Sequence, residues 1–276
     1  MQGQLVAPPI TNHYSLIGTA FDYLLRFYLK RLNSQAVERK WVAEEAVKIL
    51  ETFSIIKDVR KDILALLGGD LEKVERFISD LKKHPKMLEH ADNILMEAKA
   101  NYSAYIKSGK LNDELIKSAI FIAQLDSIYR VLILNPDLGT ADEGDIEDLR
   151  NLIANVNDEH FRAEKTCILN PIFGQASNLV GGADADLIID HTLIDIKTTK
   201  NLEFKSEAYH QLIGYYILVK IGGIDHISEK LAIDQLGVYY SRYGLLYTFP
   251  VSSIEKDNFL GFIEWFKTTA GKYFEA

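Results

Sequence analysis

The chain has 276 residues, a formal net charge of −8 and 47% hydrophobic residues, which excludes an intrinsically disordered chain and a globally basic nucleic-acid binder. Cys167 is the only cysteine; this excludes a disulfide framework and an iron–sulfur cluster held by cysteines of this chain, and points to a reducing, cytoplasmic compartment. Contact with a polyanion must therefore come from local basic patches.

The opening residues, MQGQLVAPPI, lack a basic segment followed by an apolar one, so no signal peptide is expected. Over 14–32, Leu16, Ala20, Leu24 and Phe27 recur at helical spacing beside Ile17, Phe21, Leu25 and Tyr28, predicting a helix with a broad buried face. Residues 34–157 read as successive helices. Asn33-Ser34 is the expected cap of one ending at Gly68-Gly69, and Asp70 the cap of one stopping near Pro85. Two more are expected over 86–107 and 112–134, closed by Asn135-Pro136.

Beyond about residue 158 the texture changes. Strands are expected over 164–174, 183–190 and 192–199, a helix over 207–221, a hairpin over 236–244 and 245–251, and a last helix over 254–268. The longest apolar run, 212–224, contains Lys220 and is too short to span a bilayer, so no membrane partner is expected. The order describes a mixed α/β domain interrupted by helices: a first helix in 1–33, a helical insertion over 34–157 and the remainder of the core over 158–276.

The hairpin 181–200, GGADADLIIDHTLIDIKTTK, carries four aspartates and two lysines. Alternation puts Asp184 and Asp186 on one face, and likewise Asp195 and Lys197; Ala185, Leu187, Ile194 and Ile196 are expected on the other, against the core. A turn at Asp190-His191-Thr192 sets Asp186 opposite Asp195 or Lys197, depending on register. Opposed carboxylates repel unless a cation lies between them, and oxygen ligands of this kind suit Mg²⁺ or Mn²⁺. An acid-x-Lys tripeptide alone says little, since Glu38-Lys40, Asp80-Lys82, Glu97-Lys99 and Glu203-Lys205 repeat it. The first three are assigned to helices and the fourth to a loop; only Asp195-Lys197 falls on a strand. No histidine shows metal-ligand spacing.

Asp186, then Asp195-Ile196-Lys197 on the next strand, and Gln211-x-x-x-Tyr215 on the following helix resemble the PD-(D/E)XK nuclease superfamily, and "GGAD" resembles the Gly-x-x-Asp of its RecB-like branch. The resemblance covers about 164–221. In the first helix, Gly18-x-x-x-Asp22 puts an acid where that branch often carries histidine; Asp22 is a site candidate, with an ion pair to Arg26 as the plain alternative. The family's proline before the first acid is absent; Ala183 and Ala185 stand before Asp184 and Asp186 instead.

The resemblance implies a restriction-endonuclease-like mixed sheet flanked by helices. It implies Mg²⁺-dependent hydrolysis of nucleic-acid phosphodiesters, DNA being expected, with Mn²⁺ as a substitute and no iron–sulfur cluster. Asp186 and Asp195 would bind the metal with the Ile196 carbonyl, and Asp184 competes for the first position or serves a second ion. Lys197 would orient the attacking water, Gln211 a phosphate or carboxylate, and Tyr215 would brace it. Lys200, Lys205, Arg26, Lys30 and Arg31 supply local positive charge, and the helical insertion a substrate wall or a protein-binding surface. The alternative is a catalytically silent module of the same fold that binds nucleic acid or protein. For Asp195 and Lys197 the plain alternative is a solvated ion pair on an exposed hairpin face.

Overall fold

The computed structural model describes residues 3–55, 71–225, 227, 231–256 and 258–274. Among these, the helices are α1 (Tyr14–Leu32), α2 (Val42–Ile55), α3 (Leu71–Lys83), α4 (Met87–Ser108), α5 (Asp113–Val131), α6 (Glu143–Ala154), α7 (Ser206–Gly222) and α8 (Phe259–Phe274). The strands are β1 (Cys167–Leu169), β2 (Leu187–Ile189), β3 (Thr192–Lys197), β4 (Gln235–Tyr240) and β5 (Leu245–Pro250). The expected helix end at Gly68-Gly69 and the Asp70 cap lie outside the described residues. No described helix is long and apolar enough to cross a membrane.

The chain forms two compact units: a helical one of 10–27 and 40–150, and a sheet-containing one of 1–9, 28–39 and 151–276. In the helical unit α2, α4 and α5 pack on one another. Phe27, Trp41 and Tyr102 form a ring cluster with centroids 4.7–5.5 Å apart, the tilted and edge-on geometry that aromatic quadrupoles favour. The helix expected from Ser34 starts instead at Val42. The Trp41 N–H is accepted by Glu44 Oε1 at 3.0 Å, one half of a capping box, which fixes the start there. Residues 34–40 are not helical, and Val37 forms a parallel bridge to Ile168. That also removes Glu38-Lys40 from the helical tripeptides.

In the other unit the sheet is mixed, in the order β1-β2-β3-β4-β5, with only the β3–β4 pair parallel. A parallel pair needs a crossover, and α7 supplies it. The strands expected over 164–174 and 183–190 shorten to three residues each. Asn170 and Gly174 adopt positive φ (55° and 54°), which ends β1 and leads into a 3₁₀ segment, Gly174–Val180. Asp184 makes only an isolated bridge to Ile172, so Asp184 and Asp186 lie on the approach to β2 rather than within it. The last helix begins at Phe259, later than the expected 254, because residues 251–253 form a 3₁₀ turn.

The sheet is covered on both sides, which corrects the expectation of one core face and one wet face. Leu187 and Ile194 are fully buried as expected, yet so are Ile188 and Leu193 on the side that carries the charges. There α7 lays Leu212, Tyr216 and Val219 into a core with Ile188, Leu193, Leu236 and Val238. Asp186, Asp195 and Lys197 therefore sit where an apolar core ends, with Asp195 itself buried. Ile196, expected in the core, is half-buried.

Candidate active site at the end of the β2–β3 hairpin

The register resolves the alternatives left by the sequence. Leu187 pairs with Ile194 and Ile189 with Thr192, so one step beyond the last pair Asp186 falls opposite Asp195, not Lys197. The turn is pinned by Asp190, whose φ is 49° and whose carboxylate accepts the N–H groups of Glu164, Lys165 and Thr166 at 2.8–2.9 Å. Asp190 is thus a structural turn residue. The approach to β2 is fixed by backbone bonds from Asn170 N–H to Asp186 O and from Ala185 N–H to Pro171 O.

From that framework the polar side chains form a connected chain. Asp186 Oδ2 accepts the Ile196 N–H at 2.6 Å, tying the approach segment to β3. Asp195 Oδ2 and Lys197 Nζ are 2.8 Å apart, the pairing expected of strand neighbours two apart. Lys197 Nζ donates to Gln211 Oε1 at 3.0 Å, and Gln211 Nε2 donates to the Tyr215 hydroxyl at 2.7 Å. Gln211 and Tyr215, one turn apart on α7, share a face. Tyr215 also packs against Phe173, with centroids 5.6 Å apart.

The burial of these groups is uneven. Asp195 is 2% exposed, while the Lys197 side chain is 33% exposed. This overturns the reading of the pair as a solvated surface ion pair: the carboxylate is held inside and the ammonium reaches outward. Burial raises the Tyr215 hydroxyl pKa well above its ordinary value. The Gln211 hydrogen bond opposes that, and the charges of Asp186, Asp195 and Asp184 add to it. All three carboxylates are thus felt at one hydroxyl. Tyr240 is raised as well, by burial and then by Asp195.

The structure therefore brings together Asp186, Asp195, Ile196, Lys197, Gln211 and Tyr215, with Asp184 close enough to act on Tyr215. Asp22 belongs to the helical unit, where Arg26 Nη2 contacts its Oδ2 at 2.5 Å, the ion pair that the sequence offered as its alternative. No family model, curated protein or solved structure matches the chain.

The donor set fits a hard divalent cation. Carboxylate oxygens from Asp186 and Asp195, with a main-chain carbonyl of β3 within the same stretch, are the ligand types Mg²⁺ takes while retaining water. Lys197 is the cation paired with Asp195 in the structure. The helical unit holds a second group of donors that the sequence reading missed: His13 with Asp142 and Asp145. Asp142 and Asp145 are close in sequence, but a histidine as distant as His13 gives no spacing signal.

Proposed function

We propose that this chain is a metal-dependent nuclease of the PD-(D/E)XK type, RecB-like, with a restriction-endonuclease-like core, hydrolysing phosphodiester bonds of nucleic acid, DNA being the expected substrate. The observation that carries the reading is the convergence of Asp186, Asp195 and Lys197 at the edge of a buried core, continued through Gln211 to Tyr215. A surface ion pair requires neither the second carboxylate nor the burial.

Asp186 and Asp195 would hold Mg²⁺ or Mn²⁺ with the Ile196 carbonyl. When bound, the ion would supply Lewis-acid polarisation of the phosphoryl group and a lowered pKa for water. The chain's own residues do the rest. Lys197 has three N–H groups; one donates to Gln211 while the ammonium pairs by charge with Asp195, and a further N–H can hold the attacking water or a phosphate oxygen. Its charge offsets the negative charge that grows on the phosphorus oxygens. Hydrolysis forms one P–O bond from the water oxygen and breaks one ester P–O bond; the water gives up a proton and the departing oxygen takes one up. Gln211 fixes the Lys197 ammonium, and Tyr215, kept neutral, fixes Gln211.

The test is cleavage of plasmid and single-stranded DNA with Mg²⁺, with Mn²⁺ and with excess EDTA. Cleavage should require metal, and Lys197→Ala should lower the rate by about 10²–10³-fold, as for loss of one preorganised charged donor, with binding of the DNA retained. Undiminished cleavage in EDTA, or wild-type turnover in Lys197→Ala, would falsify the assignment. Metal-independent binding without cleavage by the wild type would favour the silent module.

A further inference from the structure

In the helical unit, the N-terminal ends of α1 and α6 contribute to a cavity of about 560 Å³ lined by Asn12, His13, Asp137, Asp142 and Asp145, among others. His13 immediately precedes α1. Asp142 precedes α6 and accepts the N–H groups of Asp145 and Ile146 at its main-chain carbonyl, so its side chain is not needed as a cap. Asp145 lies in the first turn of α6 and is 2% exposed.

The three side chains converge on one point. His13 Nδ1 stands 3.0 Å from both oxygens of Asp145 and 3.8 Å from Asp142 Oδ2. One ligand atom from each of the three falls within 4.8 Å of the others. A cation with ligand bonds of about 2.0–2.2 Å places adjacent ligand atoms about 3.0–3.5 Å apart, so closing the set around an ion takes a movement of about an ångström, which the exposed Asp142 side chain can make. His13 lies within ion-pairing distance of both carboxylates, so all three side chains face one another here. The buried Asp145 carboxylate is also held by the Thr11 hydroxyl, which donates to Oδ1 at 2.7 Å, as outer-shell groups orient metal ligands.

We propose that His13, Asp142 and Asp145 form a divalent-cation site, separate in composition from the β2–β3 carboxylates and selective for a borderline metal, Zn²⁺ foremost. The imidazole sets the selectivity: nitrogen donors suit Zn²⁺ and its transition-metal neighbours, whereas an all-oxygen set suits Mg²⁺. Three protein ligands leave a coordination position open, and the cavity gives it room for water or a small oxygen ligand.

The experiment is titration of the full chain with Zn²⁺ by calorimetry, in parallel with Mg²⁺, on wild type, Asp142→Asn and His13→Ala. Asp142 is the cleaner position, because its side chain is 71% exposed and the cap it provides is main-chain. The proposal expects one Zn²⁺ fewer per chain, or an affinity at least tenfold weaker, in both variants, while Mg²⁺-dependent behaviour is unchanged. A His13→Ala chain that fails to fold leaves Asp142→Asn to decide. Zn²⁺ stoichiometry and affinity equal to wild type in Asp142→Asn, or no Zn²⁺ bound by the wild type at hundred-micromolar metal, overturns it. Both readouts are independent of DNA cleavage, so the nuclease reading and this site can fail separately.

Discussion

At the scale of single residues, the central question is what Asp186 does when no metal is bound. Its carboxylate accepts the Ile196 N–H and stands across from Asp195. Asn can accept the same bond through its amide oxygen, but brings no charge to oppose Asp195. Asp186→Asn should therefore fold with a metal-free stability within about 1 kcal/mol of wild type, the weaker neutral hydrogen bond offsetting the relieved repulsion. Cleavage should fall at least about a hundredfold; paired melting curves and rate measurements on one preparation check both halves, and an active variant would remove the residue from the metal site. The identity of these residues was legible in the sequence because alternation and a two-residue spacing are enough to group Asp195 with Lys197. Their burial was not, since α7 covers the charged face only after the crossover is made. A second residue follows a different logic. Burial raises Asp126 from its ordinary value to about 6, against lowering by its Tyr23 bond and by Arg130 and Arg26. The folded state then holds the proton more tightly than the unfolded one, so stability falls as pH rises from about 4 to 6 and is flat above. The ionised form costs up to about 3 kcal/mol there. Asp126→Asn can still accept from Tyr23, whose hydroxyl lies 2.6 Å from Asp126 Oδ1. It should melt higher than wild type at pH 7–8, with the gap closing towards pH 4; a gap that does not change with pH would show that Asp126 ionises in the fold without penalty.

At the scale of elements, α7 carries two glycines with opposite expected consequences. A Cβ at Gly214 meets nothing within 4 Å, whereas one at Gly222 would overlap the Phe173 carbonyl oxygen and lie 2.7 Å from Ala176 Cβ. Gly222 is thus the point where the end of α7 meets the 3₁₀ segment that precedes the Asp184–Asp186 approach. Gly214→Ala should stabilise the protein by up to about 1 kcal/mol through helix propensity, and Gly222→Ala should destabilise it by about 1–3 kcal/mol through overpacking. Denaturant midpoints compare the two; a neutral Gly222→Ala would mean that the 3₁₀ segment gives way freely. The 3₁₀ segment also shows where the sequence stopped being readable. α1, α4, α5 and α7 came out within a few residues of expectation, because apolar periodicity over many turns is a redundant signal. The short strands did not: Asn170 and Asp184 look like strand residues until a positive φ and a bridge to Ile172 break the run. The start of α2 was misplaced because Asn33-Ser34 carries preferred cap residues and Trp41 does not; the pairing of Val37 with Ile168 keeps residues 34–40 out of the helix. The placement of 34–39 alongside β1 depends on a partner far along the chain, which no local pattern encodes.

At the scale of the whole molecule, the expected partner and the chain are both anions. A net charge of −8 repels a polyanion, although salt screens that repulsion beyond a Debye length of about 10 Å at 0.1 M, so the chain has no general attraction for DNA to draw on. Binding must rest on a few lysines beside the site, and the stretch 197–205 supplies Lys197, Lys200 and Lys205, at the end of β3 and in the connection to α7. Each phosphate neutralised contributes about 0.7–0.9 to the slope of log affinity against log salt, so three contacts give about −2 to −3. Affinity should then fall about 15- to 60-fold between roughly 50 and 200 mM salt. Fluorescence anisotropy of a labelled oligonucleotide with the Asp186→Asn chain measures this without cleavage. Replacing Lys200 and Lys205 with alanine should flatten the slope by about 1.5–2, in proportion to the contacts removed. A slope steeper than about −5 would require a broad basic surface that this acidic chain was not expected to have. A slope near zero in the Asp186→Asn chain would leave no phosphate contact at all, and with it no nucleic-acid substrate for the carboxylates and lysine gathered at the end of β3.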